Sequence, residues 1–239
     1  MSGFVCYKGD GSLQVSSDLP IFQRVTTGTA VTTSSGFGTP TILAVPYTNS
    51  TDIVAIRIPS GYACTRWYTD TPNNRQWYFI NAPVGTTITY DIYRSASQIT
   101  PTATFGLDCF DANGHLTFSA ALDPMLIGAV LTGSTGSSVA TSGLISAALN
   151  NYSGYTRTDV DFEPAHRDTG TGTIIPDTWI VSFVAVYRSV QNNNGTYQIV
   201  DMEVGFNQNT YHSDPGYSNG GTMNDTPYGA SLLVKRYVN

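Results

Sequence analysis

The chain has 239 residues, a formal net charge of −6, and 12% charged against 41% hydrophobic side chains. Its eleven Lys and Arg are scattered, so it has no basic cluster with which to neutralise phosphates, which argues against nucleic acid as a partner. No apolar run approaches the roughly eighteen residues of a membrane-spanning helix, and the three cysteines lack both the even count of a disulfide framework and the spacing of a zinc site.

From the start of the chain, residues 3–19 (GFVCYKGDGSLQVSSDL) alternate apolar and polar side chains, turn at Asp10-Gly11, and alternate again. Glycine after Asp supplies the positive φ of a tight turn, so the segment predicts a β-hairpin. The N-terminus lacks the basic-then-apolar pattern of a secretory leader, and the expectation is assembly in the cytosol. Residues 21–25 predict a short strand, and the Thr/Ser/Gly run over 26–41, without periodicity, predicts a surface loop. Residues 42–47 and 53–58 are β-branched strands, the second ended by Pro59. Residues 63–69 and 75–82 flank the turn cluster Asp70-Thr71-Pro72-Asn73-Asn74 and carry Trp67 and Trp77. Such a pair of tryptophans reads either as a core plug or cross-strand pair, or as a platform for a sugar ring. Residues 87–94 complete this half, and Pro101 marks a break near residues 100–104.

Residues 106–122 (GLDCFDANGHLTFSAAL) then repeat the opening segment without a gap, at the constant offset that separates Gly3 from Gly106. Cys6/Cys109, Gly11/Gly114, Leu13/Leu116, Ser16/Ser119 and Leu19/Leu122 are also identical, where composition alone gives about one match. Cys6 and Cys109 fall on equivalent inward positions and read as small buried hydrophobes. A strand over 125–131 and a second Gly/Ser/Thr loop over 132–142 follow the order of the first half. Ser142, with apolar residues at helical spacing after it, predicts a two-turn helix. The longest strands are expected over 177–189 and 196–206, joined by Gln191-Asn192-Asn193-Asn194-Gly195. Trp179 follows Trp77 by nearly the same offset, and 199–204 resembles 89–94, so the repeat extends past the hairpin. Residues 207–229 read as a long polar loop with Tyr211, Tyr217 and Tyr228, which either form a contact surface for a glycan or protein or pin the loop to its own domain. Residues 230–238 close the chain as a strand. The expected fold is all-β, two tandem, duplicated antiparallel β-sandwich domains over residues 1–103 and 104–239.

Asp159-Val160-Asp161-Phe162-Glu163 is the sharpest catalytic pattern, since a D-x-D-x-E strand resembles part of the signature of chitinase-like hydrolases, in which the terminal carboxyl is a general acid. Thr156 and Arg157 stand where that signature needs Asp and Gly, and the eight βα units of such a barrel are missing. Alternation puts Asp159, Asp161 and Glu163 on one face, which reads as a solvated strand or a cation-binding face. His115, His166 and His212 lie in separate segments, no phosphate-cradling or metal-ligating motif is present, and no cofactor is expected.

The pattern of Gly, an apolar residue, an aromatic, a turn with Asp/Asn-Gly, then Leu-x-apolar-Ser is carried by residues 3–17 and 106–120. It resembles the opening of tail-tip and tail-fibre-associated structural proteins of long-tailed bacteriophages. The resemblance implies a virion component assembled in the host cytoplasm, with other phage tail proteins as partners and a host cell-surface glycan or protein as a contact. It implies no catalytic residues, and a homo-oligomer, with a trimer matching tail-tip symmetry. A lectin-like carbohydrate-binding module using Trp67, Trp77 or the tail tyrosines is the alternative, and a glycoside hydrolase centred on Glu163 is a third.

Overall fold

β-strands run through the residues that the computed structural model describes, which are 5–7, 13–16, 20–36, 40–100, 107–143, 145–149, 154–167, 169–213, 215–216, 220–222 and 231–235. The first half contains β1 (Val5–Tyr7), β2 (Leu13–Ser16), β3 (Phe22–Val31), β4 (Thr33–Ser34), β5 (Thr41–Pro46), β6 (Ile53–Ile56), β7 (Ala63–Asp70), β8 (Arg75–Ile80) and β9 (Thr87–Ser95), then a short 3-10 turn at Ala96–Gln98. The second half contains β10 (Asp108–Phe110), β11 (Leu116–Ser119), β12 (Leu126–Leu131), β13 (Ser138–Ala140), β14 (Ile145–Ala148) and β15 (Gly154–Glu163). It continues with β16 (His166–Arg167), β17 (Ile174–Ile175), β18 (Thr178–Asn193), β19 (Thr196–Tyr211), β20 (Gly220–Thr222) and β21 (Ser231–Lys235).

The repeated segments do form matching hairpins. Val5, Cys6 and Tyr7 pair with Ser16, Val15 and Leu13, and a bulge falls between Cys6 and Tyr7. Asp108, Cys109 and Phe110 pair with Ser119, Phe118 and Leu116, with the bulge at the equivalent place, between Cys109 and Phe110. The second turn is closed by Asp111, whose carboxylate accepts the Asn113 and His115 N–H groups at 2.8 Å each, while Gly114 takes φ +82°.

Two large sheets hold the rest. A six-stranded sheet has the order β12-β21-β14-β6-β9-β3, and a nine-stranded sheet follows β13-β19-β18-β7-β8-β5-β4 with β15 on β18 and β20 on β15. Both sheets draw strands from both halves of the chain. The expected partition into separate sandwiches at 103/104 is therefore corrected, because the hydrogen-bond ladders cross that boundary at β6·β14 through Ile56/Ala147 and at β7·β18 through Cys64/Val190 and Ala63/Gln191.

Outward from those central contacts the halves mirror one another in chain order. β6-β9-β3 on one side of the six-stranded sheet is answered by β14-β21-β12 on the other, and β7-β8 by β18-β19 in the second sheet. Both central pairs are antiparallel, as an approximate twofold axis through them requires. The match of Trp77 with Trp179 does not survive, since β8 answers β19 and Trp179 sits near the start of β18.

One core fills the space between the sheets. Leu43, Val45, Tyr78, Ile80, Val190 and Ile199 from the larger sheet pack with Ile56, Ile88, Leu131, Ile145, Ala147 and Leu233 from the smaller. Ile145–Ala148, where a helix is expected, is a strand between β6 and β21 whose residues are all buried. A strand covered on both faces has no polar alternation, and a short apolar run of that kind reads equally well as helix. The loop expected over 26–41 is strand as far as Val31 and again at Thr33–Ser34, because its Thr-rich outer face hides the period of two.

The two ends of the six-stranded sheet are also drawn together. Gln23 in β3 bridges to Pro124 just before β12, with the Arg24 N–H on the Asp123 carbonyl at 2.7 Å and the Met125 N–H on the Phe22 carbonyl at 2.8 Å. The curled sheet encloses a second small core of Ala55, Tyr93, Ala148 and Val234. Gln23 is completely buried and joins β3 to the second hairpin: its amide donates to the Ser119 and Leu122 carbonyls at 2.6 and 3.0 Å and accepts the Ser119 N–H at 2.9 Å.

Candidate functional site

Strand β8 is apolar on both faces, with Tyr78 and Ile80 in the central core and Trp77 and Phe79 on the other side. On β7, Arg66 lies opposite Tyr78 and Tyr68 opposite Trp77, which leaves Trp67 as the extra residue of a bulge. A bulge re-aims side chains, and here it brings two consecutive aromatics beside the outward face of β8. Trp67 lies against Phe79 at 4.6 Å between ring centroids and meets Tyr68 edge-on at 4.5 Å. Tyr68 stacks on Trp77 at 5.9 Å with 9° between the planes, and Phe79 stacks on Tyr187 of β18 at 5.9 Å.

Ala63, Met202 and Val204 are buried beside this row, with Ile42, Tyr187 and Val200 at its margin. The outer face of the larger sheet is thus a second apolar layer across β5, β8, β7, β18 and β19, where a two-layer sandwich ordinarily shows polar residues to water. Phe79 is 2% exposed, whereas Tyr68 is 41% exposed and presents an aromatic ring to solvent. The Trp77 indole nitrogen is buried without an acceptor among the described residues, so this tryptophan is held by packing alone.

Trp67 and Trp77 therefore converge, as a cross-strand cluster. Tyr211 does not join them: it pairs with Trp179 at the far end of the β18–β19 hairpin. That position is eight residues along β18 from Tyr187, roughly 26 Å at about 3.3 Å per residue. There the Trp179 ring packs on Phe162 of β15 at 4.8 Å, and Phe162 remains 47% exposed. Tyr217 and Tyr228 lie outside the described residues.

The acidic strand β15 is held by an ion-pair network. Arg157 contacts Asp159 through Nε at 3.0 Å and Glu203 on β19 through Nη2 at 2.8 Å. Asp161 and Glu163 are exposed, with Glu163 opposite Thr178 at the end of the strand pair. An exposed carboxyl lacks the enclosed, water-excluding setting that a glycosidase acid uses. Among the described residues no three His, Cys, Asp or Glu side chains converge as metal ligands. His115 hydrogen-bonds Asp111 in its own turn at 3.1 Å, and His166 and His212 are exposed on separate segments.

Tyr68, Phe79 and Tyr187 belong to the aromatic cluster and were not singled out by sequence reasoning. The available signal was RQWYFI in β8, four consecutive large apolar residues that cover both faces of a strand and so announce an apolar layer on each. Compared with known proteins, the chain matches no family model, no curated protein and no solved structure.

Proposed function

We propose that this chain is a structural component of a bacteriophage tail tip or tail fibre, contributing to tail assembly and to host attachment. The observation that carries the assembly part is β12, Leu126–Leu131, whose sequence LIGAVL has no charge and which has no strand beyond it among the described residues. Ile127 is 57% exposed and Val130 48% exposed along this edge. Free sheet edges are normally blunted by charge, Pro or a bulge; β12 has a bulge between Ile127 and Ala129 but neither charge nor Pro, and an uncharged apolar edge offers its unpaired backbone to another chain. Exposed Phe162 of β15 and Ile174 of β17 add apolar surface of the same kind.

The phage assignment rests on the opening pattern of the two hairpins, which share strand register and bulge. In this proposal the chain is one module written twice, its copies fused edge to edge so that partner proteins meet a single rigid block. Mass spectrometry of purified virions tests it. The chain is expected at structural copy number, with incorporation reduced for Val130→Lys, and its absence from particles would overturn the assignment.

A lectin-like reading has its own support in Tyr68, which lies open beside Trp77 as sugar-stacking rings do. Glycan-array binding that disappears with Tyr68→Ala would establish it, and an array without signal would remove it.

A further inference from the structure

At the end where β8 begins and β14 finishes, residues of both sheets line a half-open cavity of about 260 Å³. Its polar lining is Arg66, Gln76 and Asp52, and Val54, Leu149 and Leu232 are among its apolar walls. These groups come from both sheets and both halves of the chain, so the cavity exists only in the fused fold.

Donors outnumber acceptors in this lining. Arg66 forms no ion pair among the described residues: one terminal nitrogen donates to the Thr69 hydroxyl at 2.6 Å, and Nε is buried without an acceptor. Gln76 is 4% exposed, and its carbonyl oxygen is taken by the Tyr78 hydroxyl at 2.7 Å. Its amide N–H groups have no acceptor among the described residues. Asp52, the one anion of the lining, is committed to Arg94 through Nε at 2.7 Å and Nη2 at 2.9 Å, and also accepts the Asn49 N–H at 3.0 Å. Asp52 and Arg94 cancel, which leaves the Arg66 charge uncompensated.

A half-buried guanidinium beside the buried Gln76 amide suits a carboxylate, which accepts two parallel N–H bonds. The remaining wall is aliphatic and asks for an apolar body. The volume, equal to roughly nine waters at about 30 Å³ each, lies just under that of drug-sized pockets and limits the body to one ring or a short chain. We propose that this cavity binds a small organic monocarboxylate with an apolar body, its carboxylate on Arg66 and Gln76 and its body against Val54, Leu149 and Leu232. The site does not depend on the virion assignment.

The full chain is titrated with sodium benzoate, with benzyl alcohol as the uncharged counterpart and with sodium acetate as the charge without the ring, at constant ionic strength. Methyl NMR of the unmodified protein should show saturable one-to-one shifts at Val54, Leu149 and Leu232 with benzoate. Benzyl alcohol and acetate should bind at least tenfold more weakly. By calorimetry, Arg66→Met should lose at least tenfold in benzoate affinity and Gln76→Leu several-fold. The proposal is overturned if benzoate leaves those methyls unmoved, if benzyl alcohol binds as well as benzoate, or if folded Arg66→Met retains full affinity. The NMR arm needs no variant, so a failure of Arg66→Met to fold does not weaken the test.

Discussion

Replacing Gln23 by Leu should destabilise the protein by about 3–5 kcal/mol. The side chain is completely buried, so no water replaces what it loses, and it makes three hydrogen bonds to the second hairpin at 2.6, 2.9 and 3.0 Å. Each such bond contributes about 1 kcal/mol net, and a buried backbone group left without a partner costs roughly 1–3 kcal/mol. The apolar transfer gain of Leu offsets part of this. For a chain of this length about 1 kcal/mol moves the melting temperature by roughly 2–4 °C, so a drop of roughly 6–20 °C is expected. Urea unfolding followed by tryptophan fluorescence measures the change through the midpoint at constant slope. Gln23→Glu is the control of equal shape. It keeps an acceptor for the Ser119 N–H but turns both donors into a charge facing two carbonyls, so at neutral pH it should be at least as damaging. If Gln23→Leu unfolds within about 0.5 kcal/mol of the unmodified chain, the second hairpin is not locked to β3 at this point, and the closure of the six-stranded sheet is not a source of stability.

The Asp52 carboxyl gives a pH signature. Burial alone raises it, but the Arg94 guanidinium and the Asn49 and Thr48 hydrogen bonds outweigh burial and hold it below its ordinary value of 3.8. A folded-state value below the unfolded one means the stabilisation is complete above about pH 3.8 and is lost as pH falls through the lower, folded value. Asp52→Asn should cost about 2–3 kcal/mol at pH 7, less than the roughly 3–5 kcal/mol of a fully buried pair because Arg94 keeps 21% exposure, and should flatten the stability curve below pH 4. Equal acid sensitivity in both proteins would count against the pair. Separately, residues 20–100 expressed alone leave β6 and β7 as open central edges and should sediment as a dimer that restores both contacts. A folded monomer at micromolar concentration would show that the halves are independent.

How much of this was legible in the sequence follows the range of the interactions. The hairpins were legible because an Asp/Asn-Gly turn and its alternating flanks are local, and Gly114 and Gly195 take the positive φ that their turns demand. The segments 42–47, 63–69, 75–82 and 87–94 were legible for the same reason. The segment 145–148 was misread because burial on both faces removes periodicity, and the bulge at Trp67 left no mark in composition. Pairing of β6 with β14 joins Ile56 to Ala147, and no local pattern encodes such a contact. The aromatic cluster was half legible: Trp67 and Trp77 stood out by type, whereas Tyr187 comes from a strand more than a hundred residues away.

Sheet edges explain why a duplicated chain adopts one block. Two separate sandwiches would each expose the β6 and β7 equivalents as free edges, and pairing β6 with β14 and β7 with β18 satisfies those backbones at once. The fusion moves the free edges of the six-stranded sheet to β3 and β12. β3 is protected over most of its length: its start is tied down by Gln23 and by the Arg24–Asp123 ion pair, and Thr26, Thr27 and Thr29 keep its outer face wet, although Val31 at its end is exposed. β12 has neither charge nor hydroxyl. Of two strands in equivalent places, both bulged and both starting at the bridge between Gln23 and Pro124, one carries hydroxyls and an ion pair along its length and the other carries neither, so the two edges differ in side-chain chemistry rather than in backbone pairing.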